Sequence, residues 1–269
     1  ACASSIVIAS TVISGFACVA AGSVKRNVRF NADESSANTT MLQVAVVVTV
    51  HCWCSCSGGP GDAAADFGGV AVVTETSSLD PHQTDLLGIS LCSRIGKACY
   101  IPLGHNSKNN LDKESVLKKL KPLLEDPSIK KIGQNIKFDF IVFFNHGITV
   151  TAMEDTMLMS YVLDAGKNRH NMDTLSEIHL NHKTTKFKEL VGSGKKQINF
   201  SEVDLEKAKD YAAEDADITY RLYKKFYKSL KEEKMINIYE IFEKPLLKIL
   251  ADMELSLIHI SEPTRLLSI

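Results

Sequence analysis

Five residues in three short stretches of the sequence have types and spacings that could build a hydrolytic metal site. Glu75 ends a run of β-branched residues, and two pairs are spaced four apart, Asn135 with Asp139 and Tyr211 with Asp215. Positions four apart share one face of a helix, so we expect each pair to project together. Carboxylate oxygens suit Mg²⁺ or Mn²⁺. Two such ions about 4 Å apart can activate water and stabilise the leaving oxygen of a phosphodiester, and a tyrosine hydroxyl can orient that water.

Spacing alone is weak support for such a site, because acidic side chains are common on helix surfaces. Glu214 and Asp217 flank Asp215 within the same predicted helix, for example. The chemistry requires a strand-end carboxylate and two helix carboxylates to converge at one edge of a sheet.

The hydrophobic pattern indicates the elements that would position these residues. Short apolar runs rich in β-branched residues predict strands at 70–75, 85–92, 98–103 and 130–133. Helical spacing predicts helices at 111–124, 137–146, 155–163, 172–180, 204–231 and 236–254, with Gly147 ending the second. Strands that come first, followed by helices with a further strand among them, predict an α/β fold with a mixed sheet and helices packed on it.

The composition changes near residue 66, which indicates a boundary in the chain. The 269 residues carry a net charge of -1, which decides little about partners. Residues 1–66 have few charges and hold five of the seven cysteines. The apolar stretch at 1–23 lacks a basic start, so we expect neither a signal peptide nor a membrane segment. We interpret 1–66 as a non-native or disordered leader and 67–254 as the folded domain.

Two local patterns are set apart from the domain. Residues 255–265 resemble the translation of a sequencing-library adapter, so we interpret 255–269 as a tail. Cys52, Cys54 and Cys56 would share one face of a strand as a soft-metal or disulfide site. No histidine follows at the spacing of a zinc finger, so we interpret the spacing of these cysteines as a coincidence. Cys92 and Cys99 are expected to be small apolar core residues.

The chain resembles the DEDD superfamily of exonucleases, in the branch whose third motif carries a tyrosine. Within that branch it is similar to the 3′–5′ proofreading exonuclease domain of the DNA polymerase I family, over about residues 69–254. The intervening blocks favour this family over the relatives of RNase D and those linked to RecQ helicases. The matching blocks are Leu79-Asp80-Pro81, Leu87-Gly88-Ile89-Ser90-Leu91, Gly96-Lys-Ala-Cys-Tyr-Ile-Pro-Leu-Gly-His105, Gly133-Gln-Asn-Ile-Lys-Phe-Asp139, Asp155-Thr-Met-Leu158, Arg169-His-Asn-Met-Asp-Thr-Leu175, His182-Lys-Thr184 and Tyr211-Ala-Ala-Glu-Asp-Ala-Asp217.

The resemblance implies an RNase H-like mixed β-sheet flanked by α-helices and a site for two divalent metal ions, Mg²⁺ or Mn²⁺. Its metal ligands would be Glu75, Asp139 and Asp215, and Tyr211 would orient the attacking water. The substrate would be the 3′ end of single-stranded DNA, with a polymerase domain following in the full-length protein. The resemblance also implies a monomer in the bacterial cytoplasm, associated with the nucleoid and not with a membrane.

The implied DNA contacts have competing interpretations. Leu79 would wedge and Phe187 would stack against the terminal bases, while Gln134, Asn135 and Phe138 would contact the strand. Leu79 could instead be a core leucine beside a turn, and Phe187 could be a packed aromatic residue.

The first motif departs from the family pattern at a ligand. It normally reads Asp-any-Glu, and Val73 occupies the place of the aspartate that would bridge both metals. Val73 and Glu75 share one strand face, so an apolar group points into the expected cation site, while Thr74 faces the other way. Phe138 also replaces a tyrosine of the second motif. We expect impaired hydrolysis.

Two origins of Val73 remain open. It is either a sequencing or cloning error, since one base change turns an Asp codon into a Val codon, or a genuine loss of proofreading. In the second case the chain would be an inactive single-strand DNA-binding domain that supports a polymerase domain.

Overall fold

The computed structural model describes residues 52–53, 68–107, 109–192, 194 and 197–257. Six strands form one sheet: β1 (Cys52–Trp53), β2 (Gly69–Thr76), β3 (Leu86–Arg94), β4 (Lys97–Pro102), β5 (Lys130–Gly133) and β6 (Met153–Asp155). Their order across the sheet is β1-β4-β3-β2-β5-β6. The pairs from β1 to β2 are antiparallel, whereas β2 with β5 and β5 with β6 are parallel. The predicted mixed sheet is therefore confirmed.

The helices follow the same chain order. They are α1 (Lys113–Glu125), α2 (Ile136–Asn145), α3 (Thr156–Asp164), α4 (Met172–Leu175), α5 (Phe187–Val191), α6 (Leu205–Glu232), α7 (Ile236–Ile238) and α8 (Lys244–Leu257). Wider π-helical turns at Ser176–Leu180 and Tyr239–Glu243 continue α4 and join α7 to α8. A short 3₁₀ helix covers Phe200–Glu202.

Helices cover both faces of the sheet, and alternate residues of β2 therefore pack into two different apolar clusters. Val70 and Val72 lie in the cluster that includes side chains of α1, α2 and α8. Ala71 lies in the cluster built with α3, α4 and α6, and Val73 packs against that cluster. This alternation is what two covered faces require of a central strand.

Helix α6 is the longest element near the site, with 28 residues, or about 42 Å at 1.5 Å per residue. The Asp204 carboxylate caps its first turn by accepting the backbone N–H groups of Glu206 and Lys207. Its buried face carries mostly alanines in the first half and larger residues in the second. Small side chains let the first half lie close to β3 and β4.

The structure corrects several element boundaries. The predicted helix at 172–180 becomes π-helical after Leu175, and the strand β6 and helix α5 were not predicted. Asn135 does not lie in α2 above Asp139 as expected. It precedes the helix in the left-handed conformation, with φ of 61°. Gly147, with φ of 73°, does end α2 as predicted.

The chain ends depart from the expected division of the domain. Cys52 and Trp53, inside the expected leader, pair with β4 as an edge strand. Helix α8 runs to Leu257, past the expected boundary at residue 254, and Leu255 packs against the core. The rest of the leader, with Cys54 and Cys56, lies outside the described residues, as do residue 67 and residues 258–269. Within the part of the chain that is described, no helix is long and apolar enough to cross a membrane.

Candidate active site

Glu75 lies at the C-terminal end of β2, and its side chain points toward the space beside α6. The side chain is buried, with 8% of its surface exposed. Val73 shares its strand face and packs against the cluster that includes Met159 and Ala216. The residue at position 73 is therefore an apolar neighbour of Glu75.

Asp139 reaches the same strand end from α2 and is held there by Thr74. The Thr74 backbone N–H and Oγ1 both donate to Asp139 Oδ1, at 2.8 and 2.6 Å. Thr74 faces away from Glu75, as alternation predicts, yet this orientation brings it onto Asp139. One carboxylate oxygen of Asp139 is thus occupied by protein donors.

The start of α2 is fixed by a second buried carboxylate. Asp155 caps α3 by accepting the N–H groups of Met157 and Leu158, and it also accepts those of Asn135 and Ile136, at 3.1 and 3.0 Å. One side chain therefore anchors two helix starts. The left-handed turn at Asn135 leads directly into the helix that carries Asp139.

Asp215 enters the site from α6, together with Tyr211 one turn earlier. Burial raises the pKa of the Tyr211 hydroxyl, and the nearby charge of Asp215 raises it further. The ring of Tyr211 contacts those of Phe187 and Phe200, with each pair of centroids 6.1 Å apart. The predicted alignment of the pair on one helix face is therefore observed.

Electrostatics indicate that the three carboxylates are near neighbours. Burial raises the pKa of Glu75 well above its ordinary value, and the charges of Asp215 and Asp139 raise it further. Burial likewise raises the pKa of Asp139 to about 7, although hydrogen bonds from Thr74 lower it. Burial also raises the pKa of Asp215, although the nearby Tyr211 hydroxyl lowers it. A buried acid that is repelled by two other buried acids, as Glu75 is, would be stabilised in its charged form by a bound cation.

The chemistry of these donors fits a hard divalent ion, but they do not form a closed cage. Among the described residues, no three His, Cys, Asp or Glu side chains are placed closely enough to hold one metal ion. Mg²⁺ commonly keeps several waters and is bound by one or two carboxylates plus substrate phosphates, so a closed cage is not required. A fourth carboxylate on the Glu75 strand face would have to come from position 73, which is valine.

The residues predicted to contact DNA differ in their exposure and in whether their polar groups already have hydrogen-bond partners. Leu79 is 95% exposed, which excludes the alternative of a core leucine. Phe187 is 42% exposed and stacks on Phe200 at 6.0 Å, so it is both packed and accessible. The Gln134 amide is already used, because its Nε2 donates to the His170 carbonyl and its Oε1 accepts from Thr156.

The other two predicted contacts lie at the start of α2. Asn135 makes no side-chain capping bond to the helix. Phe138 is half-buried and packs against the apolar cluster of α1 and α2, so the ring has a packing role. Gln134 and Asn135 line an open cleft together with Arg169.

Several residues at the site carried no individual signal in the sequence. Thr74 was correctly predicted to face away from Glu75, but its hydrogen bonds to Asp139 were not predicted, and Tyr100 was only part of a matching block. The Tyr100 hydroxyl bonds His105 Nε2 at 2.6 Å, and the nearby charge of Glu75 adds to the effect of burial in raising the pKa of Tyr100. Gly88, opposite Glu75 in the sheet, leaves room for this ring, since a Cβ there would lie 2.1 Å from the Tyr100 hydroxyl oxygen.

Comparison with known proteins shows which family the chain belongs to. A family model described as 3′–5′ exonuclease matches residues 62–231. The chain belongs to this exonuclease family. DNA polymerase I of Rhizobium leguminosarum is 41% identical over 206 residues, covering 69% of this chain and 20% of that protein. DNA polymerase I of Pseudomonas aeruginosa is 40% identical over 192 residues, covering 69% and 21%. The chain is thus homologous to the exonuclease domain of DNA polymerase I, and spans about a fifth of these relatives' length.

Solved exonuclease structures confirm the RNase H-like fold. Brucella melitensis NrnC with bound Mg²⁺ superposes with a TM-score of 0.56 at 21% identity, covering 77% of this chain and 95% of the other. Escherichia coli RNase D, an exoribonuclease, gives 0.54 at 16% identity, covering 83% and 51%. The exonuclease family is metal-dependent, in keeping with the hard oxygen donors described above.

Proposed function

We propose that this exonuclease domain removes nucleotides from the 3′ end of single-stranded DNA by metal-dependent hydrolysis at Glu75, Asp139 and Asp215. The observation that supports the proposal is that Glu75 on β2 is buried within electrostatic reach of two other buried carboxylates, Asp139 on α2 and Asp215 on α6. Buried charges are costly unless they are compensated. Their burial in an exonuclease fold is best explained by a divalent cation and a phosphodiester.

Each of these residues has a distinct role in the proposal. Asp139 is oriented by Thr74, which leaves its second oxygen for a cation. Tyr211 lies one helical turn before Asp215 on α6 and carries the hydroxyl that would orient a water toward the scissile phosphate. Two ions, Mg²⁺ or Mn²⁺, would supply charge neutralisation and a more acidic water when bound.

The strand would approach from the side of Leu79 and Phe187. Leu79 is free to insert beside a terminal base, and the exposed part of Phe187 offers a stacking surface that accepts any base. Asn135 and Phe138 would line the path of the strand. Gln134 would have to exchange one of its two internal hydrogen bonds to join them.

We further propose that Val73 weakens hydrolysis in this chain. Loss of a direct ligand should cost at least the roughly 10–100-fold that changes around a metal site typically cost. The second candidate function, a single-strand DNA-binding domain without catalysis, is favoured by the packing of Val73 into an apolar cluster. In either case the full-length protein would carry a polymerase domain and act as a monomer at the nucleoid in a bacterial cytoplasm.

The test is degradation of a 5′-labelled single strand with Mg²⁺ or Mn²⁺. We expect Val73→Asp to be at least about 10-fold faster than the unmodified chain. Val73→Asn is the matched control, because it has the shape of aspartate without its charge, and it should not gain activity. Adding Asp139→Asn to Val73→Asp should abolish the gain.

The outcomes separate the two candidate functions. Equal, robust activity of the unmodified chain and Val73→Asp would refute the account of position 73. A folded Val73→Asp variant that binds the strand without cutting it would favour the binding domain.

A further inference from the structure

A cleft of about 320 Å³ lies at the opposite end of β2 from the carboxylates. It opens beside Gly69, the first residue of the strand, whereas Glu75 lies six positions later, roughly 20 Å away at about 3.3 Å per residue. Its wall is formed by β5 and the second half of α6. The cleft is therefore separate from the proposed hydrolytic site.

The lining of this cleft is basic and aromatic. Four lysines face it, and none of its described lining residues is Asp or Glu. Three of the lysines come from α6 at spacings of four and three, which places them on one side of the helix. The lysines are Lys130, Lys224, Lys228 and Lys231.

Aromatic rings hold two of the ammonium groups in place. Lys130 Nζ lies 4.6 Å and Lys231 Nζ lies 4.4 Å from the centre of the Tyr227 ring. Tyr227 stacks on Tyr223 at 5.5 Å, and Lys130 Nζ donates to the Tyr223 hydroxyl at 3.1 Å. Cation–π contacts of this kind orient a lysine without neutralising its charge.

Acidic partners offset only part of this positive charge. Lys130 lies 3.4 Å from the buried Glu154, which also pairs with Lys244. Lys228 lies 3.7 Å from Glu232, but both side chains are largely exposed, and such pairs contribute little. Positive charge therefore remains at least on Lys228 and Lys231.

We propose that this cleft binds backbone phosphates of a single-stranded DNA, at a place distinct from the carboxylate site. Ammonium groups fixed around tyrosines match a phosphate and carry no preference for sequence. On α6, Tyr227 lies 12 residues beyond Asp215, about 18 Å along the helix axis. The helix thus carries a proposed hydrolytic site near its start and an anchoring site near its end.

The inference goes beyond the proposed hydrolysis and does not depend on it, so binding is measured without divalent metal. The probe is a fluorescein-labelled single strand of about 20 nucleotides, titrated by anisotropy in EDTA over a range of salt concentrations. The variant is Lys228→Gln with Lys231→Gln. The matched control is Lys118→Gln with Lys119→Gln, which removes the same charge from two exposed positions on α1.

The expected result is a loss confined to the cleft variant. Each phosphate contact to a single strand contributes a salt slope of about 0.7, or about 5-fold in affinity near 0.1 M salt. The cleft variant should therefore bind about 25-fold more weakly, with a slope reduced by about 1.4. The control should bind like the unmodified chain. Glu substitutions at the same two cleft positions should weaken binding further.

Three outcomes would overturn the proposal. Equal losses in both variants would mean that only net charge matters. Unchanged binding in the cleft variant would mean that the strand does not reach it. If inorganic phosphate binds the unmodified chain and not the cleft variant, while DNA affinity is the same for both, the site takes a free anion instead. Because no cleavage occurs in EDTA, failure of the proposed hydrolysis would leave these readings unaffected.

Discussion

Asp139→Asn should make the metal-free domain more stable at neutral and alkaline pH. The carboxyl has a pKa of about 7, against an ordinary value of 3.8, and burial is the main cause. At 1.36 kcal/mol per unit, that difference amounts to about 4 kcal/mol. Because the folded pKa is raised, the folded state binds the proton more tightly than the unfolded state does. The resulting destabilisation grows as the pH rises from the ordinary pKa of 3.8 to the folded pKa of about 7, and it is complete above that pH.

Asparagine keeps the Oδ1 acceptor for the two Thr74 donors and removes only the charge. Above about pH 8 in EDTA, we expect the variant to be more stable by about 4 kcal/mol, with about half of this left near pH 5.5. In a domain of this size that corresponds to roughly 10 °C in the melting temperature. Mg²⁺ should narrow the difference to roughly 1 kcal/mol, because an ion at about 100 times its Kd would stabilise the parent by about 2.7 kcal/mol.

The assay is thermal unfolding followed by circular dichroism across pH, with and without Mg²⁺. Asp85→Asn is the control, since that carboxylate is exposed and we expect its removal to change stability little. A variant that melts below the parent at about pH 8 in EDTA would refute the reasoning. So would a difference between variant and parent that does not change with pH.

Three further substitutions test the surroundings of the site. Gly88→Ala should lower the free energy of unfolding by about 1–3 kcal/mol in denaturant titrations, since its Cβ would lie 2.1 Å from the Tyr100 hydroxyl oxygen; unchanged stability would show that the ring moves aside freely. Asp217→Ala should lower the free energy of unfolding by about 1–3 kcal/mol, because the carboxylate accepts the Gly96 N–H at 2.6 Å. In the Val73→Asp background, its exonuclease activity per folded molecule should not change. Leu79→Ala should leave the melting temperature unchanged, because the side chain is 95% exposed, but raise KM for single strands roughly fivefold in the same background, or about 1 kcal/mol. An unaltered KM would argue against a contact between Leu79 and DNA.

Much of the fold could be predicted from local patterns. The β-branched run of β2 and the amphipathic spacing of α6 follow from which residues must be buried, and Gly147 ends α2 because glycine adopts positive φ without strain. The elements that were missed are short. Strand β6 has three residues and α5 has five, and such pieces are stabilised by their neighbours in space more than by their own sequence.

The candidate site, too, could be predicted only in part. Spacing and family motifs were enough to nominate Glu75, Asp139 and Asp215, because residue type and periodicity are properties of the chain itself. That Val73 shares the strand face of Glu75 also follows from the sequence, since side chains alternate along a strand.

Tertiary structure alone decided which groups support those residues. Thr74 holds Asp139 from a position 65 residues earlier in the chain, and Asp155 anchors two helix starts at once. The basic cleft likewise joins Lys130 to lysines about a hundred residues later on α6. The sequence determined the chemical types and the faces on which they lie. Hydrogen-bond partners, burial and pKa depend on distances between remote segments, which exist only once the sheet and helices have packed.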